Sequence, residues 1–381
     1  MEMADISKKL LTILSVFNII FLGNVFPVFA EELSNYELTQ RLKNLEKQTG
    51  ISGISNRWLD RLTLSGLLEA EAGYESIDYN DPALEDEDAS DAVLATMELS
   101  VDTLINDYVS GHALFLWEED DTEPIDLDEG FITLTGGEGC PGYLTAGKMY
   151  VPFGNFASNM VSDPLTLELG ETRESAIQVG LEMDGFYGSV YLFNGDIDEA
   201  GEDSHLDNFG ASAGFAMANA DFSLDAGVSY ISNILDSDGL GDTVAESVDA
   251  SGTGLDEYAA GLGGHAIVTA GPVMLIGEYI TALDDPEFVS DTAGVGLTGE
   301  EIAAWNAELG YFFEIAGKPA NAGLAYQGTD KAGDFLPETR VMGTISCEIF
   351  DATNLALEYF HDEYANELEA DVITAQLAIE F

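Results

Sequence analysis

The sequence predicts an all-β protein, a transmembrane antiparallel β-barrel of about sixteen strands preceded by a short N-terminal coiled-coil helix. Three observations predict this fold. From Leu62 onward, segments of roughly ten residues alternate apolar and polar side chains, as barrel strands between lipid and water do. Short and long connections between these segments alternate along the chain. The last segment, DVITAQLAIEF (371–381), ends in a Phe on its apolar face, as outer-membrane barrels generally do.

The charge of the chain excludes several function classes. It has 381 residues with 12 Lys+Arg and 71 Asp+Glu, a net charge of -59, so it has too few bases to bind nucleic acid. Two cysteines and four histidines, without the spacing of a zinc or disulfide framework, argue against a metal site. No phosphate-binding or nucleophile motif is present, so the sequence predicts a non-enzyme without a cofactor.

Residues 1–30 have the pattern of an export signal. Lys8 and Lys9 precede an apolar run from Leu10 to Phe29, and small or apolar residues before Glu31 favour cleavage after Ala30. A signal anchor is the alternative, because the run is long enough to span a bilayer. A cleaved signal predicts export, and together with the barrel strands it predicts a bacterial outer-membrane protein.

Residues 31–57 predict a periplasmic helix or coiled coil. Leu38, Leu42 and Leu45 recur at heptad spacing, and Glu37 lies four residues before Arg41. Such a segment supports a homotrimer or a tether to the cell wall, whereas the alternative is a frayed linker.

Residues 58–381 form the predicted outer-membrane β-barrel. With a periplasmic N-terminus, the short turns lie on the periplasmic side and the long, acidic loops lie outside. The candidate strands lie near residues 62–75, 92–102, 108–118, 128–136, 143–150, 174–183, 186–194, 209–217, 220–231, 257–270, 273–282, 303–314, 320–327, 339–350, 353–361 and 371–381.

The third external connection, loop 151–172, differs from the other loops. It is moderately apolar and only modestly charged, which suits packing against the barrel wall, so we expect an inward constriction loop. The predicted constriction and solute-contact residues are Lys148, Asp163, Glu168, Glu171, Arg173, Glu174 and Arg340. The bases among them would either anchor a carboxylate or phosphate group or pair with nearby acids.

This region resembles the LbtU-type siderophore porin family. The resemblance rests on Gly147-Lys148, PFGNF (Pro152–Phe156) and SDPLTLELGETRESA (Ser162–Ala176), together with the layout of signal, short coiled coil and barrel. It implies an outer-membrane channel linked to ferric-siderophore uptake. The strongly acidic composition departs from this expectation, because acidic side chains would repel an anionic ferric chelate.

The resulting function prediction is a passive outer-membrane porin whose partners are outer-membrane lipid and small solutes or a ferric siderophore. An acidic lumen favours cations, so a general cation-selective diffusion porin is the alternative. A barrel hydrolase would need a nucleophile beside His112 or His265, and the sequence pairs neither histidine with a serine.

Overall fold

The structure is a computed structural model that describes residues 61–80, 85–119, 125–137, 139–197, 205–241, 255–285, 287–288, 301–333 and 335–381. The predicted signal peptide and the predicted helix at 31–57 lie outside the described residues. Parts of the acidic external connections do so as well.

Sixteen antiparallel strands form a closed barrel, which confirms the predicted fold class and strand number. Each barrel strand pairs with the next one along the chain, and the last strand closes onto the first, from Leu67 opposite Glu380 to Asp78 opposite Glu369. The barrel strands are β1 Leu62–Asp78, β2 Glu87–Asn106, β3 Val109–Trp117, β4 Asp126–Thr135, β5 Gly142–Tyr150, β6 Arg173–Met183, β7 Phe186–Phe193, β8 Asn208–Ala218, β9 Phe222–Ile231, β11 Gly261–Ala270, β12 Val273–Ala282, β14 Ala303–Ile315, β15 Lys318–Asp330, β16 Thr339–Phe350, β17 Thr353–Glu363 and β18 Glu369–Glu380.

Four further elements are described in the long connections, one of them a single 3₁₀ turn at Ile234–Asp236. Strands β10 (Leu255–Glu257) and β13 (Glu287–Phe288) pair with each other outside the barrel. A short helix, α1 (Leu165–Gly170), lies in loop 151–172. In the part of the chain that the structure describes, no helix has the length and apolar character needed to cross a bilayer.

The barrel strands present an apolar outer face and a mixed inner face. On β17, Leu357 and Tyr359 are 52% and 47% exposed, whereas Glu358 and Phe360 are each 1% exposed. The same alternation on the other strands gives an outer surface of exposed Leu, Ile, Val, Phe and Tyr side chains. Such a surface is stable in lipid, because the acids point inward to an aqueous lumen.

Tight turns lie at one end of the barrel and the longer connections at the other. Asp184 and Gly185 join β6 to β7 with φ of 53° and 85°, and Ala316 and Gly317 join β14 to β15 with φ of 54° and 81°. Two successive residues in this left-handed region match the right-handed twist of a β-hairpin. The turns therefore hold adjacent strands in register without long connections.

Loop 151–172 lies inside the barrel and supplies much of its core. Phe153, Leu165 and Leu169 are at most 1% exposed and belong to one apolar cluster with Ile231 and Ile280 of the wall. Burying these side chains stabilises the inward position of the loop by removing apolar surface from water.

Candidate functional site: the barrel interior around loop 151–172

Glu278 of β12 binds the first part of loop 151–172. Its carboxylate accepts hydrogen bonds from the backbone N–H of Asn155 at 2.6 Å and of Phe156 at 3.1 Å. It also accepts one from the hydroxyl of Thr166 at 2.8 Å. Because Tyr279 and Leu275 are exposed on the outer face, Glu278 lies on the lumen face of β12. One wall carboxylate thus holds two separate points of the loop.

Glu308 of β14 binds the middle of the loop in the same way. It accepts from the Ser158 hydroxyl at 2.8 Å and from the backbone N–H of Asn159 at 2.7 Å. The side-chain amide nitrogens of Asn159 and Asn306 also donate to it, at 3.1 Å and 2.9 Å. Its two oxygens are therefore surrounded by donors, which is how a buried carboxylate is made stable.

Glu358 of β17 and Gln327 of β15 bind the last part before α1. Glu358 accepts from the backbone N–H of Val161 at 2.6 Å and of Ser162 at 2.9 Å. Gln327 accepts from the Leu165 N–H at 3.0 Å. We call Glu278, Glu308 and Glu358 the wall glutamates. Sequence reasoning missed them; the available signal was an acid on the lumen face of each of these strands.

The two predicted arginines are each paired with an aspartate. Arg173 binds Asp128 of β4 through its guanidinium Nη1. Arg340 of β16 binds Asp362 through two parallel contacts, Nε to Oδ1 at 2.7 Å and Nη2 to Oδ2 at 2.8 Å. The Arg340 guanidinium also lies 4.5 Å from the centre of the Phe360 ring. Of the two interpretations of these bases, the structure shows pairing with acids.

Three more of the predicted residues lie close to the two ends of the loop, namely Lys148, Glu171 and Glu174. Glu174 is 8% exposed and shares the lumen face of β6 with Ala176, and Glu171 is buried at the end of the loop. Burial, followed by repulsion from Asp238, raises the pKa of Glu171 well above its usual range. Lys148 of β5 is half-buried and lies opposite Gly130 of β4 and Ser175 of β6. Its role in solute contact stays a prediction.

Asp163 and Glu168 of the loop face a cavity of about 240 Å3. The cavity lies between the loop, the wall formed by β1 and β2, and the ends of β16 to β18. It is lined by one base, Arg340, and by seven acids, which are Glu71, Glu75, Asp91, Glu119, Asp163, Glu168 and Asp362. Acidic side chains thus outnumber basic ones seven to one in the cavity lining.

The same surroundings change the protonation of the two loop acids. Burial, followed by repulsion from Glu168, raises the pKa of Asp163 well above its usual range. Burial raises the pKa of Glu168 to about 7, and the nearby Arg340 opposes that rise. A cation in this cavity would favour the ionised form of both carboxyls.

The two lumen histidines contact acids and aromatic side chains. His112 lies 2.8 Å from Asp102 and 3.3 Å from Glu129. His265 lies 3.6 Å from Asp225 and 3.3 Å from the Tyr187 hydroxyl. Over the described ranges, no cluster of three or more His, Cys, Asp or Glu side chains is placed to hold a metal ion.

A closed barrel of sixteen strands with an apolar outer face and an inward loop defines a porin-like fold. The chain is similar to the outer-membrane channel DcaP of Acinetobacter baumannii, with a TM-score of 0.55 and 15% identity, covering 84% of this chain and 97% of that one. It is also similar to an anion-selective porin from Comamonas acidovorans, with a TM-score of 0.54 and 11% identity over 84% and 99% of the two chains. At these identities the likeness shows the fold.

Sequence comparison finds UPF0422 proteins. One from Coxiella burnetii is 29% identical over 328 residues, covering 84% of this chain and 68% of that protein. UPF0422 protein lpg2959 of Legionella pneumophila is 28% identical over 323 residues, covering 79% of this chain and 59% of that protein. The chain thus spans less than two thirds of the Legionella relative. No protein-family model matches the chain, so membership of the siderophore porin family stays a prediction.

Proposed function

We propose that the protein is a passive outer-membrane channel that prefers cations and is narrowed by loop 151–172. The observation that carries the proposal is the series of hydrogen bonds from the loop to the wall glutamates. These bonds extend from β12 to β17 and hold the loop across the lumen. The cavity that remains beside β1 and β2 provides the path for solutes.

The charge of this path supports the cation preference. Acid rings in a pore favour cations and repel anions. Seven acids and one arginine line the cavity, and the arginine is neutralised by its two contacts with Asp362. A mobile anion would therefore meet little uncompensated positive charge there.

Single-channel recording in a planar bilayer tests the proposal. The full chain should give stepwise conductance, and a potassium chloride gradient should give a reversal potential of the sign set by potassium permeation. Absence of conductance would contradict the channel, and an anion-selective reversal potential would contradict the role of the acidic path. We also propose that the protein forms a homotrimer, which a mass measurement of the native protein tests.

Ferric-siderophore uptake is the more specific version of this function. Its support is the resemblance of the PFGNF and SDPLTLELGETRESA segments, whereas the pairing of Arg173 and Arg340 with aspartates disfavours an anionic chelate. Ferric citrate, added to an open channel, provides the test. Concentration-dependent block by this chelate would support siderophore uptake, and uninterrupted conductance would favour a general cation channel.

A further inference from the structure

Two of the residues that line the cavity each carry a buried carboxyl oxygen without a protein donor. Glu75 of β1 is 7% exposed, and its Oε1 has no hydrogen-bond partner among the described groups. Asp163, on the loop side of the same cavity, has a buried Oδ2 in the same condition. A buried acceptor is unfavourable unless a donor reaches it. Both oxygens therefore belong to groups that a bound donor would stabilise.

Neither oxygen receives a hydrogen bond from the residues that line the cavity. Arg340 is the only base among the residues that line the cavity. Its Nε and Nη2 already donate to the carboxylate of Asp362. Glu71, by contrast, already accepts from the Gln376 amide at 2.9 Å. The uncompensated acceptors thus come from one wall strand and one loop, which face a shared space.

Part of the lining is apolar. Leu165 of α1, Leu336, Phe360 and Val372 are between 1% and 6% exposed, and each lines the cavity. These surfaces offer no ligand atoms to a metal ion, and the described residues contain no metal-holding cluster of three acids. They do suit a hydrocarbon group, because burying apolar surface is favourable. An ammonium group, with three N–H donors, suits the two acceptors.

We propose that this cavity is a binding subsite for organic cations that carry a primary ammonium group on an apolar body, with Glu75 and Asp163 as the acceptors and Leu165, Leu336, Phe360 and Val372 around the hydrocarbon part. The proposal rests on the proposed function, since the solute reaches the cavity through the channel. It adds a chemical class of solute that acidity alone does not select.

Blocking experiments on the reconstituted full chain test this subsite. Hexylammonium chloride should reduce single-channel current in a saturable way. Sodium hexanoate, with the same apolar length and opposite charge, should leave the current unchanged at equal concentration. Ammonium chloride should block far more weakly than hexylammonium, because it lacks the apolar body. Equal block by ammonium and hexylammonium would overturn the role of the apolar lining.

Two variants assign the block to these acceptors. Glu75→Gln and Asp163→Asn should each raise the half-blocking concentration of hexylammonium about tenfold or more, the effect of losing a charge-assisted hydrogen bond. Glu98→Gln on β2 removes the same charge outside the cavity lining and should leave the half-blocking concentration within about twofold. Heat-modifiable mobility in gel electrophoresis checks that the barrel of each variant is folded. Asp163→Asn lies in the loop, so it tests the subsite even where the β1 variant fails to fold.

The outcomes separate the subsite from the channel. Stable cation-selective conductance without saturable hexylammonium block overturns the subsite and leaves the channel intact. An equal loss of block in Glu98→Gln also overturns it, because the effect would then come from the general field of the lumen. Absence of any conductance would overturn the proposed function itself.

Discussion

Replacing Glu278 by Gln should release one part of loop 151–172 and leave the rest in place. Glu278 accepts from Asn155, Phe156 and Thr166. In the variant, the amide oxygen can still accept from Asn155, and the Thr166 hydroxyl can turn to accept from the new NH2 group. The Phe156 N–H then faces a donor and loses its partner. The substitution therefore removes one backbone hydrogen bond and the charge assistance of the other two.

The size of the effect follows from these lost bonds. Hydrogen bonds to charged groups contribute about 1.5–3 kcal/mol each, and an unsatisfied buried donor costs about 1–3 kcal/mol. We therefore expect about 3 kcal/mol of lost local stability. That value corresponds to a rise on the order of a hundredfold in the population of the detached segment.

Amide hydrogen exchange measures this local opening directly. The amides of Asn155 and Phe156 should exchange on the order of a hundredfold faster in Glu278→Gln than in the parent protein. The amides of Val161 and Ser162, which Glu358 holds, should keep their rates. Glu98→Gln is the matched control. Unchanged exchange at 155–156, or an equal increase at 161–162, would refute the reasoning.

Three further predictions concern a buried ion pair, a titrating loop acid and the segment 31–57. The first is that Arg340→Gln should destabilise the barrel by about 3–5 kcal/mol in thermal unfolding, because Asp362, whose side chain is 3% exposed, loses its partner. Adding Asp362→Asn to this variant should restore part of the lost stability. Cation selectivity should fall as the pH decreases from 8 to 6, since burial raises the pKa of Glu168 to about 7 and the group is neutral below it. Arg340, whose pKa the neighbouring Asp362 keeps high, stays charged throughout this range. A reversal potential that does not change with pH would therefore contradict the role of Glu168. Deleting residues 31–57 should lower the oligomer mass, and an unchanged mass would count against trimerisation through that segment.

The alternation of residue types was sufficient to predict the barrel. A strand has a period of two, so an amphipathic strand shows its two faces in the sequence itself, as β17 and β18 do. All sixteen predicted segments overlap the observed barrel strands. Turn residues such as Asp184-Gly185 gave the connections for the same reason, because their backbone preference is local.

Contacts between the loop and the barrel wall could not be predicted from local alternation. The bond between Asn155 and Glu278 joins residues 123 positions apart, and Val161 and Glu358 are 197 positions apart. Nothing in the local pattern of either segment states which wall strand the loop reaches.

The sequence by itself determined the strands, their number, their inner and outer faces and the position of the unusual third loop, because each of these depends on neighbours along the chain. Only the tertiary structure decided which acids hold that loop, which aspartates neutralise the arginines and which two carboxyl oxygens remain without a donor in the cavity. Those relations arise when barrel closure brings distant strands around one lumen. They depend on the register and curvature of the whole sheet, which no single segment encodes.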